Sequence, residues 1–174
     1  MVRDSPLLGT KVAIFPGSFD PLTNGHSDII HRALSIFETV IVGVLSNVTK
    51  ESLFSARERI ALIRGEFAAY GTRVKVESFS GLLADFAAAK GVHLVVRGLR
   101  AVSDYDYEVQ LALMNRSLKG QIETLFLVTR EQNSFISSTL VKQVASMGGD
   151  VSAYVSPRVA QALRKRFKKR KKGV

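Results

Sequence analysis

Cysteine is absent from this 174-residue chain, which excludes disulfides and thiolate metal sites. No apolar run approaches the length of a membrane span, and the first residues lack the basic and then apolar layout of a secretory signal. A cytoplasmic protein is expected. Internal repeats and linker-like stretches are also missing, and with 46% hydrophobic and 23% charged residues the chain can bury one core, so a single domain is expected. Acidic residues are missing from residues 164–174, where Arg164, Lys165, Arg166, Lys168, Lys169, Arg170, Lys171 and Lys172 stand together. Those eight cations leave only about +2 of the net charge of +10 for the rest. The expected division is therefore a domain over 1–163 and a basic, frayed tail over 164–174. A nearly balanced body with a basic end fits a solvated terminus better than a basic groove. A weak site for RNA, acidic lipid or another polyanion is the alternative for the tail.

What the chain does contain is an alternation of strand and helix patterns. Lys11–Phe15, Val40–Leu45, Val74–Glu77 with Phe79, His93–Arg97 and Thr124–Val128 are short Val-, Ile-, Leu- and Phe-rich runs. Between them lie helical patterns: one with Ile29, Ile30, Ala33, Leu34 and Phe37 at helical spacing, one from Ser55 with Glu58 completing a capping box, and others over Leu82–Lys90 and Asp104–Arg116. Two more helices follow, over Ser138–Met147 and from Ser156-Pro157. Near-continuous apolar strands suit a sheet covered on both faces, so the expected fold is α/β with a doubly wound parallel sheet. Ligands of such sheets gather outside the carboxyl ends of the strands. The polar residues just after each strand are thus the candidates.

The first of these loops is the most informative. Phe15-Pro16-Gly17-Ser18-Phe19-Asp20-Pro21-Leu22-Thr23-Asn24-Gly25-His26 joins a strand to a helix, where unpaired amides and the positive end of the helix dipole can receive phosphate. His26, placed where the helix should begin, can add a ring N–H donor. After the second strand stands Lys50, and after the fourth stands Arg97-Gly98-Leu99-Arg100. An arginine closing an apolar strand needs an anion nearby, supplied either by a structural salt bridge or by a ligand. Asp104 and Asp106 open the next helix and can serve simply as dipole complements. Asn133-Ser134-Phe135-Ile136-Ser137-Ser138-Thr139 leads into another helix, where hydroxyls can cap their own backbone or donate to phosphate oxygens.

Gly17-Ser18-Phe19-Asp20-Pro21 followed by Thr23-Asn24-Gly25-His26 resembles the nucleotidyltransferase signature G-x-F-D-P-x-H-x-G-H, with Thr23 in place of the first histidine. The T-N-G-H form, the R-G-x-R element at 97–100, the D-Y-E element ending at Glu108 and the I-S-S-T element at 136–139 together resemble the phosphopantetheine adenylyltransferase family over Lys11–Ala162. The resemblance implies a Rossmann-like nucleotidyltransferase fold and transfer of the adenylyl group of ATP to 4'-phosphopantetheine. It implies His26, Ser18, Lys50 and Arg97 as catalytic. ATP would be bound by Ser18, Phe19, His26, Gly98, Leu99, Arg100, Glu108 and residues 133–139, meaning Asn133, Ser134, Phe135, Ile136, Ser137, Ser138 and Thr139. The acceptor would meet Ser18, Lys50, Leu83, Arg97 and Asn115. Mg²⁺ is implied on the phosphates with no dedicated protein ligand set, coenzyme A as a feedback ligand and a homohexamer as the assembly. Asn133 stands where the family often has an aromatic residue, and Lys142 where more distant members have Arg. The alternatives are a cytidylyltransferase of the same superfamily and a nucleotide- or RNA-binding module that keeps the fold without the reaction.

Overall fold

A computed structural model describes residues 11–46 and 51–171. Five parallel strands form one sheet: β1 (Val12–Gly17), β2 (Thr39–Leu45), β3 (Val74–Phe79), β4 (Leu94–Leu99) and β5 (Glu123–Val128). Their spatial order is β3-β2-β1-β4-β5. The chain thus winds outward from β1 to β3, returns to the other side of β1, and winds outward again. This reversal between β1 and β4 opens a crevice at their carboxyl ends, which positions the site.

Side-chain alternation along the central strands divides the interior in two. Ala13, Phe15, Val40, Val42, Val44 and Val96 face the larger cluster, where α1 (Asn24–Ala33), α2 (Ala56–Glu66) and α6 (Pro157–Lys171) bring Ile29, Ile30, Ile63, Val159 and Leu163. Ile14, Ile41 and Val95 face a smaller cluster with Ala84 and Ala87 of α3 (Leu83–Ala89). The remaining helices are α4 (Val102–Leu118) and α5 (Ser138–Ser146). Short 3₁₀ turns at Ala68–Arg73 and Glu131–Asn133 had no counterpart among the expected elements.

The expected capping box of α2 is present: Ser55 Oγ accepts from Glu58 N–H, and the Glu58 carboxylate accepts from Ser55 N–H. Residues 164–171 continue α6 as helix, because Phe167 packs against the core one turn beyond buried Leu163. Arg166 pairs with Glu58 and lies over the Phe54 ring, 5.1 Å from its centroid. Among the described residues no helix is long and apolar enough to cross a membrane.

Candidate active site

The β1–α1 loop is held by groups distant in sequence. Buried Asp20 accepts the Leu53 and Phe54 N–H groups, each at 2.9 Å, and the Lys142 ammonium of α5 at 2.9 Å. Buried Arg59 donates to Ser18 O at 2.5 Å, Leu45 O at 2.9 Å and Phe54 O at 3.0 Å. These two side chains tie the Ser18 loop to the end of β2 and to the entry of α2. Gly17 is required by close approach: a Cβ there would lie 2.9 Å from the Phe19 ring. That ring is buried edge-on to His26, with centroids 5.1 Å apart.

The crevice encloses ≈ 300 Å³ between the ends of β1 and β4 and the first turns of α1 and α5. Ser18, His26, Arg97, Gly98, Arg100, Glu108, Ile136, Ser137 and Ser138 line it. Two helix N-termini therefore converge on one space, an arrangement suited to an oligophosphate. Helix α1 begins at Asn24, with His26 as its third residue rather than its first. Thr23 is the N-cap, and its backbone N–H and hydroxyl lie 3.1 and 2.9 Å from His26 Nδ1.

Arg97 forms a two-pronged pair with Glu108, at 2.6 Å from Nε and 2.5 Å from Nη2, and donates from Nη1 to Pro16 O at 2.9 Å. Arg100 forks onto Asp104 at 3.0 and 3.1 Å and donates to Ile136 O at 3.3 Å. Both arginines are thus fixed by carboxylates, and each has two of its five N–H groups left over. Burial alone would raise the Asp104 carboxyl, but the Arg100 guanidinium and backbone donors outweigh it and hold it below its usual value. Ser137 caps α5 by accepting Leu140 N–H at 3.1 Å, so its own O–H is free to donate. Ser138 donates to Pro21 O at 2.7 Å. The capping and ligand-binding alternatives for these hydroxyls are compatible at Ser137, because capping uses only its oxygen.

Other sequence candidates lie off this wall. Phe19 is buried behind it, Leu99 accepts from Thr129 N–H at the strand end, and Asn133 is buried beside Gly25. Ser134 donates to Glu131 O, Phe135 is exposed with its ring edge-on to Tyr154, and Thr139 is exposed on α5. Leu83 packs against the smaller core cluster, and Asn115 is half-buried near the end of α4. Lys50 lies outside the described residues. Lys142 faces Asp20 rather than the crevice. The scaffold residues Asp20 and Arg59 escaped sequence reasoning, since their partners lie up to 122 positions away.

Burial pushes the His26 imidazole down to about 4, with the Arg100 and Arg97 charges adding to the effect. It is therefore neutral near pH 7. An unfolded histidine titrates near 6.5, so between pH 6.5 and 4 the unfolded chain binds a proton that the folded chain does not. Stability must rise with pH across that window and level off above it, by on the order of 3 kcal/mol in total. Urea unfolding between pH 4.5 and 7 should show this slope in the parent chain and its loss in His26→Ala. The crevice carboxylate Asp104 and the loop carboxylate Asp20 are held below 3.8, so their contributions disappear at lower pH.

Residues 14–144 match the model of the cytidylyltransferase-like family. A phosphopantetheine adenylyltransferase from Alkaliphilus metalliredigens (strain QYMF) is 52% identical over 156 residues, covering 90% of this chain and 99% of that protein. A putative nicotinate-nucleotide adenylyltransferase from Vibrio parahaemolyticus shares the fold with a TM-score of 0.62 at 19% identity, over 88% of this chain and 98% of the other. The bifunctional NMN adenylyltransferase/ADP ribose pyrophosphatase from Francisella tularensis superposes with a TM-score of 0.68 at 16% identity over 90% of this chain, which spans about half of that protein, 49%. Parallel topology, a crevice at the β1/β4 reversal and close identity along nearly two full chains place this protein in the phosphopantetheine adenylyltransferase family, within the cytidylyltransferase-like nucleotidyltransferases.

Proposed function

We propose that this chain transfers the adenylyl group of ATP to 4'-phosphopantetheine, forming dephospho-coenzyme A and pyrophosphate in coenzyme A biosynthesis. The observation that carries this is 52% identity across nearly the whole of both chains to a protein of that name. The crevice supports it. The acceptor phosphate is already an anionic nucleophile near neutral pH, so attack on the α-phosphorus needs no base. Alignment and charge neutralisation are what the site must supply. Neutral His26 at the first turn of α1 donates to the α-phosphoryl oxygens as charge grows there. Ser18 bridges ATP and acceptor. The two spare N–H groups of Arg97, together with Lys50, hold the acceptor phosphate. Arg100, the free O–H of Ser137 and the first-turn amides at Ser138 and Thr139 receive the departing pyrophosphate.

The donor set fits magnesium carried on the phosphates: the crevice carboxylates Asp104 and Glu108 each hold an arginine, and no group of three or more His, Cys, Asp or Glu suited to a metal occurs among the described residues. Bound with water and phosphate oxygens, the ion would offset negative charge on the triphosphate. A cytoplasmic homohexamer with coenzyme A as feedback ligand completes the proposal. Exposed Tyr105, Tyr107, Leu113, Met114 and Leu118 of α4, with Val128 of β5, support subunit association, since such apolar surface is usually covered. Any nucleic-acid contact would fall on the basic end of α6.

Pyrophosphate release with Mg²⁺, pairing ATP or CTP with 4'-phosphopantetheine or glycerol 3-phosphate, tests the assignment. Release with ATP and 4'-phosphopantetheine alone is expected. Preference for CTP would point to the cytidylyltransferase alternative, and silence in all pairings with ATP still bound would point to a binding module. Lys50→Ala should raise the KM for 4'-phosphopantetheine severalfold more than that for ATP; steady-state kinetics with each substrate varied in turn would place the residue on the other substrate if ATP use alone suffered.

A further inference from the structure

The contact between Thr23 and His26 constrains the imidazole chemically. A backbone N–H can only donate, and the Thr23 N–H meets His26 Nδ1 at 3.1 Å. Nδ1 must therefore offer its lone pair, and in a neutral ring the proton resides on Nε2. The Thr23 hydroxyl, 2.9 Å from the same nitrogen, can donate to it while its oxygen accepts the His26 backbone N–H at 3.4 Å. This is a capping box in which histidine takes the place normally filled by Glu or Gln. Thr23 is itself 2% exposed, so water does not compete for these groups, and Phe19 packs edge-on to the imidazole ring. The ring is thus held from one edge, with Nδ1 turned back to the cap and Nε2 left as its only N–H.

We propose that Thr23 is a positioning residue for the adenylyl-transfer reaction: by engaging His26 Nδ1 from both its backbone and its hydroxyl, it fixes the Nε2–H tautomer and holds that N–H toward the reacting phosphate. The proposal rests on the assigned role of His26 as donor to the α-phosphoryl oxygens. One side chain then does two tasks, satisfying the first turn of α1 and preparing the donor before substrate arrives. A donor already in place needs no reorganisation as charge develops. The charged groups facing the crevice beside the ring, Arg97, Arg100, Asp104 and Glu108, are paired among themselves. They supply field, while Thr23 makes the direct contact that selects the tautomer.

The test combines ¹⁵N NMR of the histidine rings with kinetics of Thr23→Val and Thr23→Ser, using His26→Ala to assign the resonance. In the parent enzyme at pH 7 the His26 Nδ1 should show the shift of an unprotonated nitrogen and Nε2 that of a protonated one. Thr23→Val keeps the backbone donor, and with it the unprotonated Nδ1, but loses the hydroxyl that helps hold the ring; it should lower kcat about tenfold and change the KM for ATP less than twofold. Thr23→Ser should restore kcat to within about twofold. A protonated Nδ1 in the parent enzyme overturns the proposal even if Thr23→Val does not fold. So does parent-like kcat in Thr23→Val, or failure of Thr23→Ser to rescue a folded Val variant. Full activity in His26→Ala would instead overturn the role of His26.

Discussion

His26→Ala is expected to lower kcat by about 10²–10³-fold, the usual effect of removing one preorganised donor to developing charge, while the Kd for ATP changes only a few-fold. The split follows from where the interaction is made. In the proposed mechanism Arg100, the α5 first turn and Ser137 would provide the ground-state hold on the triphosphate, whereas His26 would meet oxygens whose charge increases as the pentacoordinate phosphorus forms. Because burial keeps the imidazole neutral near pH 7, no proton has to be lost to prepare the donor. Rapid-quench turnover and equilibrium ATP binding on the same preparation would separate the two effects. Equal losses in both would make His26 a nucleotide-binding residue.

Asp20→Ala should cost about 3–5 kcal/mol of stability, the range for removing one member of a buried ion pair, and lower Tm by roughly 10 °C. The carboxylate is buried with two backbone N–H groups and one ammonium pointed at it, so truncation leaves three donors without an acceptor. Lys142 is 28% exposed and can turn partly to water, which favours the lower end of that range. Burial tends to raise the Asp20 carboxyl, but Lys142 and the two N–H donors prevail and hold it below the usual carboxylate value. Its stabilisation is therefore present above pH 3.8 and lost as pH falls through the lower folded value. Urea unfolding at pH 7 measures the effect; a loss under about 1 kcal/mol would mean that the Ser18 loop is held chiefly by Arg59.

The sheet was legible because its strands are short apolar runs separated by helical spacing, and buried parallel strands leave little ambiguity of that kind. The α2 start was legible because Ser55 and Glu58 carry a local signal. The α1 start was less so: Thr23 caps it through a histidine, which the usual S/T-x-x-E/Q pattern does not include. Charge composition suggested a break at 163, but Val159, Leu163 and Phe167 recur at helical spacing straight through it, and packing follows the apolar stripe. Site residues borne on the first loop and on Arg97-Gly98-Leu99-Arg100 were visible because they gather at the carboxyl ends of strands, although β4 runs on through Leu99 rather than ending at Arg97. Nothing local in the sequence marks Arg59 as the donor that joins Ser18 O, Leu45 O and Phe54 O. The mutual pairing of Arg97 with Glu108 likewise depends on how α4 folds back over β4.

The most direct test of the account is identification of the product by mass spectrometry after incubation of the enzyme with ATP, Mg²⁺ and 4'-phosphopantetheine, with His26→Ala run alongside. Dephospho-coenzyme A and pyrophosphate in equal amounts from the parent enzyme, and almost none from a His26→Ala protein that still binds ATP, is the predicted result. Absence of dephospho-coenzyme A from the parent enzyme, or its undiminished formation by the variant, would contradict it.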